Sequence, residues 1–504
     1  MSDNILEVRS VSKAYEGVQA LDQVSLSIKR GSVHCLVGEN GSGKSTLIKI
    51  VGGVVARDSG EVVLDGQTFE KPSAIDAISA GVQIIYQDLS LFPNLSVAEN
   101  ISINQLIERG AKTFDWSEIR SVAKAALDEI EESLDLDARV ETLSMAKKQV
   151  VAISRALTQS AKLIIMDEPT SAITREDVDH LFAVIDKLKK KGIATLFVSH
   201  KLNEVFEIAE TVTVIRDGKK VGDYPAEELD NDKLVFLMTG RKIEYEPYIY
   251  EARQPDEKPV LTVEALTRPK EYSDVSFSIR SGEILGLTGL IGSGRTEVAQ
   301  TIFGLTKPRS GRILVEGEEV TIRNPRDAQR LGIAYLPEDR LHQGLFQHQS
   351  IGDNVVVTIL KRLLGKVGIL DMEQKKAEEN RWVKELAIKT PSAENPASSL
   401  SGGNQQRVVI AKWLATDPKV FILDGPTIGI DISSKQKIHD TIRELAKSGM
   451  AIIMISDEID EVLKNCNRVL VMRKGKIISE ITDTVNTPED DVFDLVTGKK
   501  DEVA

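Results

Sequence analysis

This 504-residue chain has only two cysteines, few aromatic residues at 5%, no long apolar run and no excess of positive charge. Cys35 and Cys466 lie far apart, each in or beside an apolar run. That excludes a disulfide framework and a cysteine-built metal site, and it fits buried thiols in a reducing compartment. No run approaches the ~18 uninterrupted apolar residues that a membrane-spanning helix needs. The longest, ATLFV (194–198) and AIIMI (451–455), have the length of strands. The opening MSDNILEVRS holds no apolar core of signal-peptide length. Lys and Arg number 64 against 77 Asp and Glu, for a formal charge of −13, which argues against the basic face that nucleic-acid binding requires. A soluble cytoplasmic protein is expected, with no nucleic-acid partner and a length that allows two to four domains.

What the chain has in quantity is repetition. VIRDGK (214–219) recurs as VMRKGK (471–476), LMTGRK (237–242) as LVTGKK (495–500), and MDEPTSAI (166–173) as LDGPTIGI (423–430). The copies align in order, so two domains are expected at 1–242 and 260–504. Between them RKIEYEPYIYEARQPDEKP (241–259) has neither helical nor strand period. Residues 243–259 read as a linker whose tyrosines lie against a surface. Short apolar runs alternate with helical patterns in each copy. VHCLV (33–37), LIIMD (163–167), ATLFV (194–198) and VTVI (212–215) have the look of strands covered on both faces. The expected class is α/β with a mostly parallel sheet. Strands stop between Gln87 and Leu143. There Asp115 and Glu118 form a capping-box pair ahead of a helix with Ile119, Val122, Ala126 and Ile130 on one face.

GENGSGKS (38–45) fits the phosphate-binding loop in full, directly after an apolar strand and before a helix. Gly38, Gly41 and Gly43, with Glu39, Asn40 and Ser42 between them, let backbone amides turn inward around phosphate oxygens at a helix N-terminus. Lys44 is expected on the β- and γ-phosphates of ATP, with Ser45 on Mg²⁺ and Thr46 beside it. LIIMDE (163–168) is an apolar strand ending in two carboxylates. Asp167 is expected to orient the metal and Glu168 to act as general base on the attacking water.

Such a loop also occurs in kinases, GTPases and helicases, and LSGGNQQ (400–406) separates them. With it, the chain resembles the ATP-binding-cassette proteins along nearly its whole length. The resemblance implies two tandem P-loop domains, each with an antiparallel β subdomain and an inserted helical subdomain beside the parallel core. It assigns Gln87 to the glutamine loop as a metal-side residue, His200 to the switch, and Tyr15 to the adenine. It assigns PTSAIT (169–174) to the loop at the interface between paired cassettes.

The copies are unequal. Arg295 replaces the P-loop lysine, Thr296 and Glu297 follow it, Glu338 stands at the glutamine position, Gly425 at the general base and Asp457 at the switch. The signature is reversed: LSGGN is intact in the second copy, whereas the first reads LSMAK (143–147), with Met145 and Ala146 where glycines allow close approach. In the cassette family halves of one chain or of paired chains close head to tail. That arrangement would put Ser401, Gly402 and Gly403 on the triphosphate held by Lys44, giving one catalytic and one degenerate composite site.

GLIGSGRTE (289–297) and YLPEDR (335–340) resemble the fused ATPases of bacterial monosaccharide importers of the ribose, galactose and xylose type. LSMAK departs from that group, where a glycine is usual, and Gly425 departs where a glutamate is usual. The resemblance implies a peripheral protein on the cytoplasmic side of the inner membrane. Its partners would be two permease subunits and, through them, an extracytoplasmic solute-binding protein. Gln87 to Asn100, with apolar Leu91, Phe92 and Leu95 in an expected loop, would face the permease. The alternative is a soluble tandem-cassette ATPase acting on ribosomes or DNA. Such factors typically carry a long charged linker and two intact sites.

Overall fold

Runs of about five apolar residues, closed by glycine or charge, are long enough to cross a sheet and too short for a helix. They form the centre of each half. The computed structural model describes residues 3–69, 73–108, 115–170, 175–199, 201–242, 248–250, 258–365 and 368–498. It divides into two units, Met1–Ile243 and Glu244–Ala504.

The strands of the first unit are β1 (Asn4–Tyr15), β2 (Val18–Lys29), β3 (Val33–Val37), β4 (Ser59–Leu64), β5 (Gln67–Phe69), β6 (Val82–Ile85), β7 (Leu163–Asp167), β8 (Ala194–Val198), β9 (Thr211–Arg216) and β10 (Lys219–Pro225). Its helices are α1 (Lys44–Val51), α2 (Ala74–Ser79), α3 (Val97–Glu108), α4 (Trp116–Glu129), α5 (Met145–Thr158), α6 (Arg175–Lys190), α7 (Leu202–Ile208) and α8 (Asn231–Thr239). One sheet is antiparallel, in the order β2-β1-β4-β5. The other runs β10-β9-β3-β8-β7-β6 and is parallel except for β10. Three expected strands keep their limits, and the fourth gains a residue at each end. Because β3, β8 and β7 are parallel neighbours, Val37, Val198 and Asp167 end at one edge, the edge at which open α/β sheets bind ligands.

Among the described residues between Gln87 and Leu143 the regular elements are α3, α4 and a short 3₁₀ turn. Asp115 caps α4, accepting from the amides of Ser117 and Glu118. The buried face of α4 is Ile119, Ala123, Ala126 and Leu127, continued by Ile130, with Val122 only half buried. Ile119, Ala126 and Ile130 lie on the expected face, and Val122 alone departs from it, with Ala123 and Leu127 buried beside them.

The second unit repeats this order. Its strands are β11 (Leu261–Arg268), β12 (Tyr272–Ile279), β13 (Ile284–Thr288), β14 (Ser310–Val315), β15 (Glu318–Val320), β16 (Ile333–Leu336), β17 (Val420–Asp424), β18 (Ala451–Ile455), β19 (Arg468–Arg473) and β20 (Lys476–Ile481). Its helices are α9 (Arg295–Ile302), α10 (Pro325–Arg330), α11 (Ile351–Val356), α12 (Met372–Glu385), α13 (Gly402–Leu414), α14 (Ile432–Lys447), α15 (Ile459–Asn465) and α16 (Glu489–Thr497). The sheets run β12-β11-β14-β15 and β16-β17-β18-β13-β19-β20, the second again parallel but for its last strand. The described linker residue Tyr248 is held to this unit: its hydroxyl donates to Gly282 O at 2.9 Å, and Asn467 donates to its carbonyl at 2.7 Å.

Phe197 is fully buried in β8 and meets Phe182 edge-on at 5.8 Å between ring centres. Phe197→Ala is expected to destabilise the first unit by about 3–5 kcal/mol, through lost burial plus an unfilled cavity. Denaturant unfolding followed by a probe in that unit checks this. A loss below about 1 kcal/mol would contradict the packing described.

Candidate active site

The loop between β3 and α1 is shaped by its glycines. Gly38 has φ 157° and Gly43 has φ 106°. A Cβ at Gly38 would collide with Ile215 O, and one at Gly43 would stand 2.5 Å from Ala20 O. The loop is therefore packed tightly against the backbone of β9 and β2. Lys44, only 6% exposed, donates from Nζ to Gly38 O at 2.7 Å and Glu39 O at 3.0 Å. Ser42 Oγ is buried inside the loop without a hydrogen-bond partner. Ser45 and Asn40 are exposed, while Glu39 and Thr46 are half buried. A glycine loop at a helix N-terminus, with a lysine held over it by two carbonyls, suits a polyphosphate.

Asp167 ends β7 opposite Val198. Burial raises its pKa first and the neighbouring Glu168 charge next, opposed by Lys44 and Lys49. Glu168 leaves the strand in the left-handed region, φ 49°, its amide donating to Val198 O at 2.9 Å. One carboxylate with a hydroxyl at a helix start is a donor set that fits Mg²⁺ shared with phosphates. Among the described residues, no set of three or more acidic, His or Cys side chains could hold a metal ion without such sharing. Gln87 is exposed, just after β6. Tyr15 closes β1 with its ring 43% exposed, and Lys13 Nζ lies 5.4 Å from the ring centre. His200 and residues 171–174 of PTSAIT lie outside the described residues.

The residues beyond Gln87 carry a feature not foreseen. Leu89 and Ser90 take φ of 58° and 45° in succession. Arg155 of α5 donates to their carbonyls at 3.1 and 2.8 Å. Phe92 is 47% exposed, and its amide and carbonyl are both bound by buried Asn100 at 2.8 and 3.0 Å. Leu91 and Leu95 are half buried, and α3 already begins at Val97, so the expected loop is shorter than 87–100. The second unit repeats the device: Asn354 binds the amide and carbonyl of Phe346 at 2.8 and 3.0 Å, and Phe346 is 59% exposed. The likeness of LFPN and LFQH was the available signal.

In the second unit the corresponding groups satisfy one another. Gly289 and Gly294 keep the shape of the loop, with φ 155° and 99°. Arg295 is buried and donates to Ser456 O at 2.7 Å. Burial lowers its pKa, while Asp457, Asp424, Glu338 and Glu297 act to raise it. Asp424 accepts from Tyr335 OH at 2.9 Å and Thr296 Oγ1 at 3.3 Å. Burial pushes the Asp424 carboxyl up to about 6 despite both hydroxyls. A cavity of about 240 Å³ lies among Ser293, Arg295, Glu338, Asp424, Gly425 and Asp457. It is a phosphate loop facing carboxylates, and carboxylates repel phosphate. Gly425 keeps the left-handed turn of Glu168, φ 57°, and a side chain added there would collide with Ile428.

The signature serines both stand at helix N-cap positions, but only Ser144 caps with its side chain. Ser144 caps α5, accepting from Lys147 N at 3.5 Å, and Ser401 precedes α13 with Asn404 Nδ2 donating to its Oγ at 3.0 Å. Both serines are exposed. Gly402 lies beside Arg340, whose guanidinium nitrogen would be 3.2 Å from a Cβ there. Gly403 faces inward: a Cβ would come within 2.6 Å of Ser434. Ala146 is likewise turned into its own unit and buried. Of the two departures in LSMAK, therefore, Met145 alone presents side-chain surface, and Ala146 does not occupy the approach expected of it.

Asp424 binds its proton more tightly folded than unfolded, so the folded state holds the extra proton between about pH 4 and 6. The second unit should lose stability as pH rises through that window, by up to about 3 kcal/mol. Asp424→Asn should flatten the dependence and raise stability above pH 6, as measured by unfolding at several pH values. An unchanged slope would mean that Asp424 does not titrate there.

The profile of the ABC transporter family matches residues 21–171 and 272–428, one match in each unit. A ribose import ATP-binding protein, RbsA 2 of Rhizobium johnstonii, is 44% identical over 94% of this chain and 91% of its own length. A putative ribose/galactose/methyl galactoside import ATP-binding protein of Geobacillus kaustophilus is 42% identical over 99% of this chain and 98% of its own. A ribose import ATP-binding protein of Caldanaerobacter subterraneus is 41% identical over 98% of this chain and 99% of its own. With two complete cassette folds, a phosphate loop in each, and relatives matched from end to end, the chain belongs to the ABC transporter family as a tandem ATP-binding-cassette protein.

Proposed function

We propose that this ATPase energises import of a sugar or sugar-like solute through a separate membrane permease. Residues 1–242 and 260–504 would act as its two cassettes, joined by 243–259. The observation that carries the reading is the contrast at the strand ends. Lys44, Asp167 and Glu168 stand together in the first unit, whereas Arg295, Asp424 and Gly425 are bound to their own neighbours or lack a base in the second. The end-to-end likeness to ribose and galactose import subunits supports transport over action on ribosomes or DNA.

In the first cassette the amides of Gly38 to Thr46 would bind the triphosphate. Lys44 would exchange two carbonyls for phosphate oxygens, one set of hydrogen bonds for another. Tyr15 would stack on the adenine. Mg²⁺, held by Ser45, Gln87 and Asp167, would supply charge neutralisation between the β- and γ-phosphates. Glu168 would orient and deprotonate water, with His200 stabilising the product side. Ser401, Gly402 and Gly403 would complete this phosphate site with a helix N-terminus.

Among the described residues no helix is long and apolar enough to cross a membrane. The likeness to import ATP-binding proteins supports a peripheral subunit on the cytoplasmic face of the inner membrane. Phe92 and Phe346, exposed on asparagine-clipped loops beside the two glutamine-loop positions, would each receive a permease subunit. The extracytoplasmic solute-binding protein would act through those subunits.

Lys44→Ala should lose phosphate binding, and Glu168→Gln should bind ATP but stall, each lowering hydrolysis by at least about 10²-fold. Near-normal steady-state turnover in either variant would remove the first cassette as the catalytic one. Co-purification with permease subunits from solubilised membranes, together with loss of radiolabelled sugar uptake in a deletion strain, tests transport.

Ser401→Arg should abolish hydrolysis, because a side chain of that bulk would block the helix N-terminus assigned to the Lys44-bound triphosphate. Ser144→Arg should cost less than about threefold in rate. Equal damage from both substitutions, read as ATPase turnover, would overturn the division into one catalytic and one degenerate site.

A further inference from the structure

Glu204, in the first turn of α7, is a carboxylate that the mechanism above leaves unused, and it is only 4% exposed. Its Oε2 accepts two hydroxyl hydrogen bonds, from Thr170 Oγ1 at 2.6 Å and Ser199 Oγ at 2.8 Å. Both donors are themselves buried. Lys201 Nζ lies 3.4 Å from Oε1 and donates to Thr170 O at 3.0 Å, while the Lys201 amide donates to Ser199 Oγ at 3.0 Å. A buried carboxylate is tolerated only where hydrogen-bond donors replace its lost water, and here they come from two different loops.

Those loops are the ones that carry the chemistry. Thr170 follows Glu168 by two residues, and the backbone between them is held again where Gln149 donates to Pro169 O. Ser199 precedes His200 by one residue and follows Val198, whose carbonyl accepts the Glu168 amide at 2.9 Å. We infer that Glu204 is a positioning residue for hydrolysis, a carboxylate clamp that fixes the segment after the general base relative to the strand end that leads into the switch. The inference rests on the reading of the first cassette as the catalytic one.

The second cassette has the same clamp around different contents. Glu461 of α15 accepts from Thr427 and lies 2.8 Å from His439 Nε2, and Ser456 also hydrogen-bonds to it. The clamp is therefore a property of the fold. What it holds in that unit, Gly425 and Asp457, has no base to position. This gives an internal control: equivalent damage in the two clamps should resemble each other in stability and differ in rate.

The experiment uses the full chain, with turnover, equilibrium binding of Mg-ATP and thermal midpoint measured for each variant. Thr170→Val keeps the shape and removes the hydroxyl. It should lower kcat at least about tenfold while ATP affinity stays within about threefold. Thr170→Ser, which keeps the hydroxyl, should retain kcat within about threefold, and Glu204→Gln should follow Thr170→Val. Thr427→Val should leave kcat within about twofold. Should Thr170→Val fail to fold, Ser199→Ala, which removes the second donor, is expected to show the same loss of kcat with ATP affinity kept. Normal kcat in Thr170→Val and Ser199→Ala would overturn the clamp, as would a Thr170→Ser variant as slow as Thr170→Val, or equal slowing by Thr427→Val. Normal turnover in Glu168→Gln would instead remove the underlying reading, whatever the clamp variants do.

Discussion

Charge placed at the buried ends of parallel strands is the constraint on which both cassettes depend. Asp167 ends a strand whose other residues are fully buried, so its ionised form is costly, and the adjacent Glu168 adds to that cost. Lys44 and Lys49 offset part of it. The glycine loop folds two carbonyls back over the Lys44 ammonium group and holds it beside the strand end. A site with a cation on carbonyls and a carboxylate short of charge compensation is ready for a ligand that brings both phosphate and a divalent metal.

The second unit meets the same constraint from within. Asp424 takes two hydroxyls in place of a metal, and Arg295 takes the Ser456 carbonyl in place of phosphate. Nothing in the backbone needed to change: the strand order, the left-handed turn after the strand and the glycine conformations all persist. The difference between the two sites thus lies in a few side chains. Tyr335 is the least expected of them, because it supplies a hydroxyl from the neighbouring strand that the first unit, with Ile84 in the matching place, does not have.

Much of this was legible in the residues because the relevant signals are local. A five-residue apolar run closed by charge, a glycine loop between strand and helix, and a repeated motif can each be read in one window. The strands at 33–37, 163–167 and 194–198 kept their limits for that reason. On α4 the expected Ile119, Ala126 and Ile130 are buried, and only Val122 is replaced in the packed face, by Ala123 and Leu127. Ala146 was misplaced because whether a methyl group points outward or inward is a property of packing. The clamp at Glu204, the Tyr335 bond to Asp424 and the grip of Arg155 on Leu89 and Ser90 were invisible, because each joins residues distant in sequence through side chains with many possible partners.

Comparing what the two halves share with what they do not separates two kinds of requirement. Both keep an exposed phenylalanine on a loop clipped by a buried asparagine. Both keep a carboxylate clamp behind the strand ends. Both hold the carbonyls beyond the glutamine-loop position with a cation from the signature helix, Arg155 in one and Lys412 donating to Gly344 in the other. These devices set the positions of loops, and a half that only had to fill space would not need them. The groups at the strand ends differ: Lys44, Asp167 and Glu168 in the first half stand where the second has Arg295, Asp424 and Gly425. A half that keeps its loops in place without chemistry is what a paired machine requires if one site supplies the free energy and two surfaces must move a partner.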